Sequence, residues 1–342
     1  MKRRFGRIIA LAWASGIATF AATDSASAAA PLQEIKVGVL KVGATGPVYV
    51  ALDRGYFTAE GLKADLVYFG AGSAVAEAIV AGSVDVGVTG LTAGLYNMAA
   101  GGQVRVISGL HREAPGFHEL GYFASPHAWA AGWRTFKDFP GHSVAITTIG
   151  STTHYALGLL AEHEGFPLSS VRPIPMQSIP NSASAVVGSK ADFGLLPSTS
   201  LEELKTQDVH LVGWVGDVTP WQIGSVFTAT MTADTQHNML KHFLVALQKG
   251  VNDYYDAFTT SNGTREDGPT APAILAIISK YLDQPAARLE HEVPYMDPKM
   301  RIDVADIDHQ IAWYRAQGMI KALVTAKQVV DLRYAALMHP QK

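Results

Sequence analysis

Three stretches of this chain place small or hydroxyl-bearing residues between an apolar run and an amphipathic one. They are Gly70-Ala71-Gly72-Ser73, Thr89-Gly90-Leu91-Thr92 and Thr148-Ile149-Gly150-Ser151-Thr152-Thr153. Each reads as the end of a strand followed by the start of a helix. A helix start leaves about four backbone N–H groups unpaired and carries a partial positive charge, so it attracts an anion. Glycine lets a ligand approach the backbone, and Ser or Thr adds a hydroxyl donor. Each loop also has a plainer reading: Ser and Thr are good N-caps, and glycines punctuate ordinary turns. The loop Gly43-Ala44-Thr45-Gly46-Pro47 is a further candidate wall. Trp214, Trp221 and Gln222 lie in the loop-rich GWVGDVTPWQIG, where an aromatic ring either stacks on a flat ligand or packs near a hinge. His111 and Arg112 follow an apolar run, with Phe117 and His118 beyond. Arg112 either holds a carboxylate or sulfonate through two N–H groups or stays solvated.

Catalytic signatures are missing. The chain has no G-x-S-x-G elbow, no H-E-x-x-H and no G-x-x-x-x-G-K phosphate loop. Its twelve histidines are scattered. His237 and His242 are spaced so that they do not share a helical face, and Glu162, His163 and Glu164 read as the solvated end of a helix. The expectation is a protein with no catalytic residues, no metal and no cofactor.

The elements that must position these loops alternate regularly. Strands are expected over 35–40, 64–69, 84–88 and 104–108, with helices over 47–54, 73–81 and 92–100 between them. The pattern restarts with strands over 143–147, 171–176 and 191–196 and helices over 151–164 and 179–187. Such alternation predicts an α/β protein with two doubly wound lobes. Ligands of open α/β sheets bind beyond the carboxyl ends of the strands. One element recurs: Ala81-Gly82-Ser83-Val84-Asp85-Val86-Gly87 is echoed by Gly188-Ser189-Lys190-Ala191-Asp192-Phe193-Gly194. From residue 239 onward the spacing of apolar residues predicts helices over 239–259, 271–281, 302–317 and 326–337.

Residues 1–28 read as a cleavable export signal: Lys2, Arg3, Arg4 and Arg7, then an uncharged apolar run over 8–20, then Ala26-Ser27-Ala28. The apolar run is short for a membrane span. Cleavage leaves 23 basic against 29 acidic residues, a net charge of −6, because the segment holds four of the 27 Lys and Arg and one of the 30 Asp and Glu. That balance argues against nucleic acid or an anionic membrane as the main partner. The chain has no cysteine, which removes disulfides, thiolate chemistry and the cysteine that a bacterial lipid anchor requires. A monomer free in the periplasm, with no direct membrane anchor, is expected.

Other segments resemble a known family. Gly55-Tyr56-Phe57-Thr58-Ala59-Glu60-Gly61-Leu62 resembles its "GYF…EGL" element, and residues 78–90 (AIVAGSVDVGVTG) its "AL-x-AG-x-VD-x-G" element. Asp138-Phe139-Pro140-Gly141-His142-Ser143-Val144-Ala145, followed by Gly150-Ser151-Thr152-Thr153-His154, stands where that family has "DLKGK-x-VAV" and a helix start. The chain is similar to the periplasmic substrate-binding proteins of nitrate, sulfonate and taurine-type ABC transporters, the SsuA/THI5-like family. The resemblance implies a type II periplasmic-binding-protein fold, with residues 31–122 plus 226–342 as lobe 1 and 123–225 as lobe 2. Two hinge strands would cross near Tyr122-Phe123 and Val226-Phe227. It also implies ligand contacts at Gly46, Ser73, Thr89, Leu91 and Thr92, and at Gly150, Ser151, Thr152, Asn181 and Ser198. Trp221 is added from the residue reading. The implied function is the solute-binding component of an ABC importer, capturing a small organic anion, a sulfonate or a carboxylate and aromatic in one variant, for a permease with its ATPase. The rival readings are an enzyme of the same fold acting on a pyrimidine or other vitamin precursor, and a soluble partner of a receptor.

Overall fold

In the computed structural model, which describes Met1, residues 31–289 and residues 293–338, the alternating runs build two separate five-stranded sheets. Apart from Met1, the export-signal segment lies outside the described residues. Val, Ile and Leu recur through β1 (Gln33–Leu40), β2 (Leu62–Phe69), β3 (Val86–Gly90) and β4 (Val104–Gly109). The helices Gly46–Asp53, Gly72–Val80 and Ala93–Ala100 connect them. After β5 (His111–Glu113) the chain forms β6 (Leu120–Ala124), β7 (Ser143–Ile146), the helix Thr152–Glu164, β8 (Arg172–Pro175), the helix Ile179–Val187, β9 (Phe193–Pro197) and β10 (His210–Trp214). It returns through β11 (Trp221–Gln222) and β12 (Gly224–Ala229), and β13 (Tyr295–Met296) comes late.

The first sheet runs β2-β1-β3-β12-β4 and the second β10-β6-β9-β7-β8. β1, β2 and β3 are parallel, as are β7, β8 and β9. Two strands run against this grain: β12 is antiparallel to β3 and β4, and β6 to β9 and β10. Both arrive from the other half of the molecule. They enter their sheet at the end where the parallel strands finish, with Gly224 beside Gly90 and Leu120 beside Pro197, and must run the opposite way.

The crossing differs from the sequence expectation. Tyr122-Phe123 and Val226-Phe227 lie inside β6 and β12. The chain changes sheets through β5 and β11, which pair antiparallel with Trp221 opposite Glu113 and Gln222 opposite Arg112. β13 flanks β5 on its other edge. The Val304–Ala316 helix is clamped to this crossover. The Gln222 amide donates to Asp306 Oδ2 (2.7 Å), the Gln222 carbonyl accepts from Gln310 Nε2 (2.8 Å), and the Asp303 amide donates to Gln222 Oε1 (2.7 Å). The same helix reaches the second half. Its Tyr314 hydroxyl donates to the Ser151 carbonyl (3.0 Å), and Trp313 lies where a Cβ on Gly158 would be, 2.1 Å away.

The C-terminal helix expected over 326–337 stops after Ala326–Val329. Tertiary pairing overrides the periodicity there. Val330 forms a parallel bridge with Val106, and the Asp331 amide donates to the Val106 carbonyl (2.8 Å). No helix among the described residues is long and apolar enough to cross a membrane.

The repeated Asp has one job in both halves. Asp85 Oδ2 accepts from the Lys36 amide in β1 (2.8 Å), and Asp192 Oδ2 accepts from the Ser143 amide (2.8 Å) and hydroxyl (2.7 Å) in β7. Each carboxylate ties the loop entering β3 or β9 to the neighbouring parallel strand. Burial pushes the Asp192 carboxyl up, but the Ser143 bonds outweigh it and hold the group below the usual carboxylate range. Asp192→Ala is expected to lower stability by about 1.5–3 kcal/mol, read from the urea midpoint at pH 7. Because the folded pKa is the lower one, this contribution is present above the unfolded pKa and fades as pH falls through the folded value. The gap between wild type and variant should therefore narrow in acid. A gap that widens would contradict this role.

Candidate functional site

The carboxyl ends of the parallel strands in both sheets open on one crevice. Leu40 at the end of β1 and the Gly43–Thr45 turn beyond it, Ala71 and Gly72 after β2, and Thr89 and Gly90 at the end of β3 with Thr92 beyond them form one wall. Thr147, Ser151, Thr152 and Thr153 after β7, Ile179 after β8, and Pro197 and Ser198 at the end of β9 form the other. His111, Glu119, Leu120 and Ile223 come from the crossing segments.

Local hydrogen bonds shape these loops. Thr92 Oγ1 accepts from the Leu95 amide (3.2 Å), and Ser151 Oγ accepts from the His154 amide (3.2 Å). Thr153 Oγ1 accepts from the Thr147 amide (3.0 Å) and shares a bond with Ser151 Oγ (2.9 Å). These hydroxyls are thus N-caps or loop ties first, yet an accepting hydroxyl still has a proton to donate. Gly150 takes a left-handed φ of 80°, which suits glycine. Its amide donates to His154 Nδ1 (3.1 Å), and burial pushes the His154 pKa down to about 4, so this imidazole is a neutral acceptor near pH 7. The two walls touch. The Ala93 amide donates to the Gly150 carbonyl (2.9 Å), and the Ile179 amide to the Gly70 carbonyl (3.2 Å).

Of the residues singled out from sequence, Thr89, Thr92, Ser151, Thr152 and Ser198 lie on the crevice wall. Gly46, Ser73, Leu91, Gly150, Asn181 and Trp221 lie off it. Gly46 starts a helix packed so closely on Tyr254 that a Cβ would sit 2.8 Å from the ring. Ser73 is half-buried one residue beyond the wall residue Gly72. Leu91 is in the core, with its amide donating to the Ile223 carbonyl (3.0 Å). Gly150 acts through the wall-to-wall bond to Ala93. Asn181 is exposed, and its side chain caps the Met176 carbonyl (3.0 Å). Trp221 is no stacking platform; it is buried in the hydrophobic core, edge-on to Tyr155 at 4.8 Å. Trp214 stacks on His118 (4.3 Å), and Arg112 pairs with Asp303 (3.1 Å).

Sequence reasoning missed the ionisable part of the wall. His111 was visible only as a residue after a strand, and Glu119 lies between His118 and Leu120 at the head of β6. His111 Nε2 and Glu119 Oε1 are 3.0 Å apart, and the residues are 4% and 7% exposed. Glu113, 1% exposed, accepts from the Leu120 amide through Oε1 (3.1 Å). Burial, and then the Glu119 charge, push the Glu113 carboxyl far above its usual range. No lysine or arginine lines the crevice among the described residues. Nor is any group of three or more His, Asp or Glu there arranged to hold a metal ion. A second negative charge about 4 Å from Glu119 would meet roughly 4 kcal/mol of repulsion at an effective dielectric of about 20.

A family model described as NMT1/THI5 like matches residues 44–257. The chain belongs to the NMT1/THI5-like family. Among curated proteins none matches its sequence. Solved structures match its fold. The alkanesulfonate-binding protein SsuA from Xanthomonas axonopodis pv. citri, bound to MOPS, superposes with a TM-score of 0.69 at 18% identity, over 89% of this chain and 99% of that one. The periplasmic aliphatic sulphonate binding protein SsuA from Escherichia coli gives 0.67 at 17% identity, over 88% and 98%. The periplasmic nitrate-binding protein NrtA from Synechocystis PCC 6803 gives 0.65 at 12% identity, over 88% and 85%. This NMT1/THI5-like chain has the α/β fold of the periplasmic binding proteins.

Gly70 is exposed, and Ser178 is the one residue that a Cβ there would meet, at 3.1 Å. Gly70→Val should wedge the walls apart with little cost elsewhere. The expected result is a larger radius of gyration by small-angle X-ray scattering with the melting midpoint almost unchanged. An unchanged radius would show that the Gly70–Ser178 contact does not limit closure.

Proposed function

We propose that this protein is the solute-binding component of an ABC importer, holding a small organic molecule between two lobes and presenting it to a permease with its ATPase. The observation that carries this reading is the single crevice walled by strand–helix junctions of both sheets. Family membership and the binding-protein fold support it, as do the printed roles of the solved neighbours. The lobes are built around the β2-β1-β3-β12-β4 sheet and the β10-β6-β9-β7-β8 sheet, and the hinge is the β5–β11 pair. Residues 1–28 are an export signal, and the mature protein works as a monomer in the periplasm without turning its ligand over.

Thr89, Thr92, Ser151, Thr152 and Ser198 contact the solute. The helix starts at Thr92 and Ser151 offer amide donors and partial positive charge, which suits the acceptor or anionic end of a sulfonate or carboxylate, aromatic acids included. Solute entry shifts the population toward the form in which the Ala93–Gly150 and Gly70–Ile179 bonds close the crevice.

Thermal-shift titration against sulfonates, carboxylates, nitrate and pyrimidines tests this. A ligand at about 100 times its Kd stabilises the folded form by about 2.7 kcal/mol, which raises the midpoint by several degrees. Thr89→Val and Ser198→Ala should each weaken binding of the best compound about tenfold, while the unliganded midpoints stay close to wild type. If no compound moves the midpoint, or if the best one is chemically converted, the capture reading fails.

A further inference from the structure

Glu113 is a buried acid that solute capture does not use. It lies in β5 opposite Trp221 of β11, in the ladder by which the chain changes sheets. The residue is 1% exposed. Its Oε1 accepts from the Leu120 amide (3.1 Å), the Gly216 amide also faces the carboxyl, and Oε2 is buried without a partner. The charged groups packed around it from other elements are acids: Glu119 at the head of β6 and Asp217 in the Val215–Val218 helix. Tyr122 of β6 gives its hydroxyl to the Ala156 carbonyl (2.9 Å), and Tyr295 of β13 lies opposite Arg112. On its own strand, His111 pairs with Glu119 (3.0 Å) and Arg112 with Asp303 (3.1 Å). Among the described residues no lysine or arginine is paired with Glu113. Ionising such a carboxyl forfeits its hydration and sets it against Glu119.

Two features tie this carboxyl to the opening of the crevice. Glu119 lines the crevice and Glu113 stands behind it. Water in an open crevice screens the repulsion between the two carboxylates, and closing removes that screen. The second feature lies across the ladder, where the Trp221 indole Nε1 is also buried without a partner. Residues directly opposite in an antiparallel pair carry their side chains on one face, with Cβ atoms about 4.5–5.5 Å apart. An orphaned donor and an orphaned acceptor thus share one face of the hinge, and a buried polar atom left unpaired calls for an explanation.

We propose that Glu113 is a proton-binding site of the hinge: the closed form holds the carboxyl protonated, and the open form releases the proton to solvent and pairs the carboxylate with the Trp221 indole N–H. This rests on the two-lobe capture reading and adds regulation to it, because closing around a solute takes up one proton. With one proton involved, the closed-to-open ratio falls by at most about tenfold per pH unit. Acid tightens the trap and alkali loosens it.

The test follows the ligand-free protein from about pH 6 to about pH 9 by infrared difference spectroscopy and small-angle X-ray scattering. The wild type should show the carbonyl band of a protonated carboxylic acid at neutral pH. It should lose that band as its radius of gyration rises, with one midpoint for both. Glu113→Gln, checked for folding by circular dichroism, should lack the band and keep the compact radius throughout. Glu119→Gln removes a repelling charge and should move the midpoint down by about one pH unit or more. Trp221→Phe removes the indole N–H and should move it up. The two wild-type midpoints decide the matter even where a variant does not fold. A wild type without the band at neutral pH, or a radius that does not rise over this range, overturns the proton site and leaves capture standing. So does a Glu113→Gln profile that follows the wild type. If the midpoints coincide while no sulfonate, carboxylate, nitrate or pyrimidine binds, the capture reading fails and the proton-linked hinge remains.

Discussion

The shape of the crevice depends on one short ladder, the pairing of β5 with β11 where the chain crosses between sheets. Only two backbone segments make the crossing there, so their hydrogen bonds define the relation of one wall to the other. Gln222 extends that control. Its backbone and side chain hold the Val304–Ala316 helix, and that helix in turn touches Ser151 and Gly158 on the second wall. Asp306, which accepts the Gln222 amide, is itself buried, and its burial raises its pKa against the pull of its hydrogen bonds. A crossover clamped to a helix by these hydrogen bonds favours discrete arrangements over continuous bending.

The same crossover brings ionisable chemistry into an otherwise uncharged wall. His111 opens β5, and Glu119 precedes β6 by one residue. Both therefore sit where the chain changes sheets and inherit the burial of that place.

Much of this was legible in the sequence, for physical reasons. Strand and helix periodicities located the parallel strands; β3, β7 and β9 are buried on both faces and read as apolar runs. The repeated Asp85 and Asp192 marked equivalent places because the same hydrogen bond to a neighbouring strand is needed twice. Wall residues such as Thr89, Thr92 and Ser151 were found because N-cap chemistry and ligand access call for the same residue types. The failures share one cause. Trp221 and Leu91 look ligand-facing in sequence, but tertiary packing turns them into the core. Residues 330–337 have helical spacing, yet Val330 and Asp331 dock beside β4 and Ala336–Leu337 pair with Arg301–Ile302. Glu119 escaped notice because an isolated acidic residue carries no local pattern, and only the fold reveals that it is buried against His111.

The most direct measurement is a crystal structure of the protein with its tightest-binding compound from the ligand panels. The account predicts density in the crevice between the sheets, within hydrogen-bond distance of Thr89 or Thr92 on one wall and Ser151, Thr152 or Ser198 on the other. Density on an outer face, or contact with one wall alone while the crevice stays vacant, would contradict it.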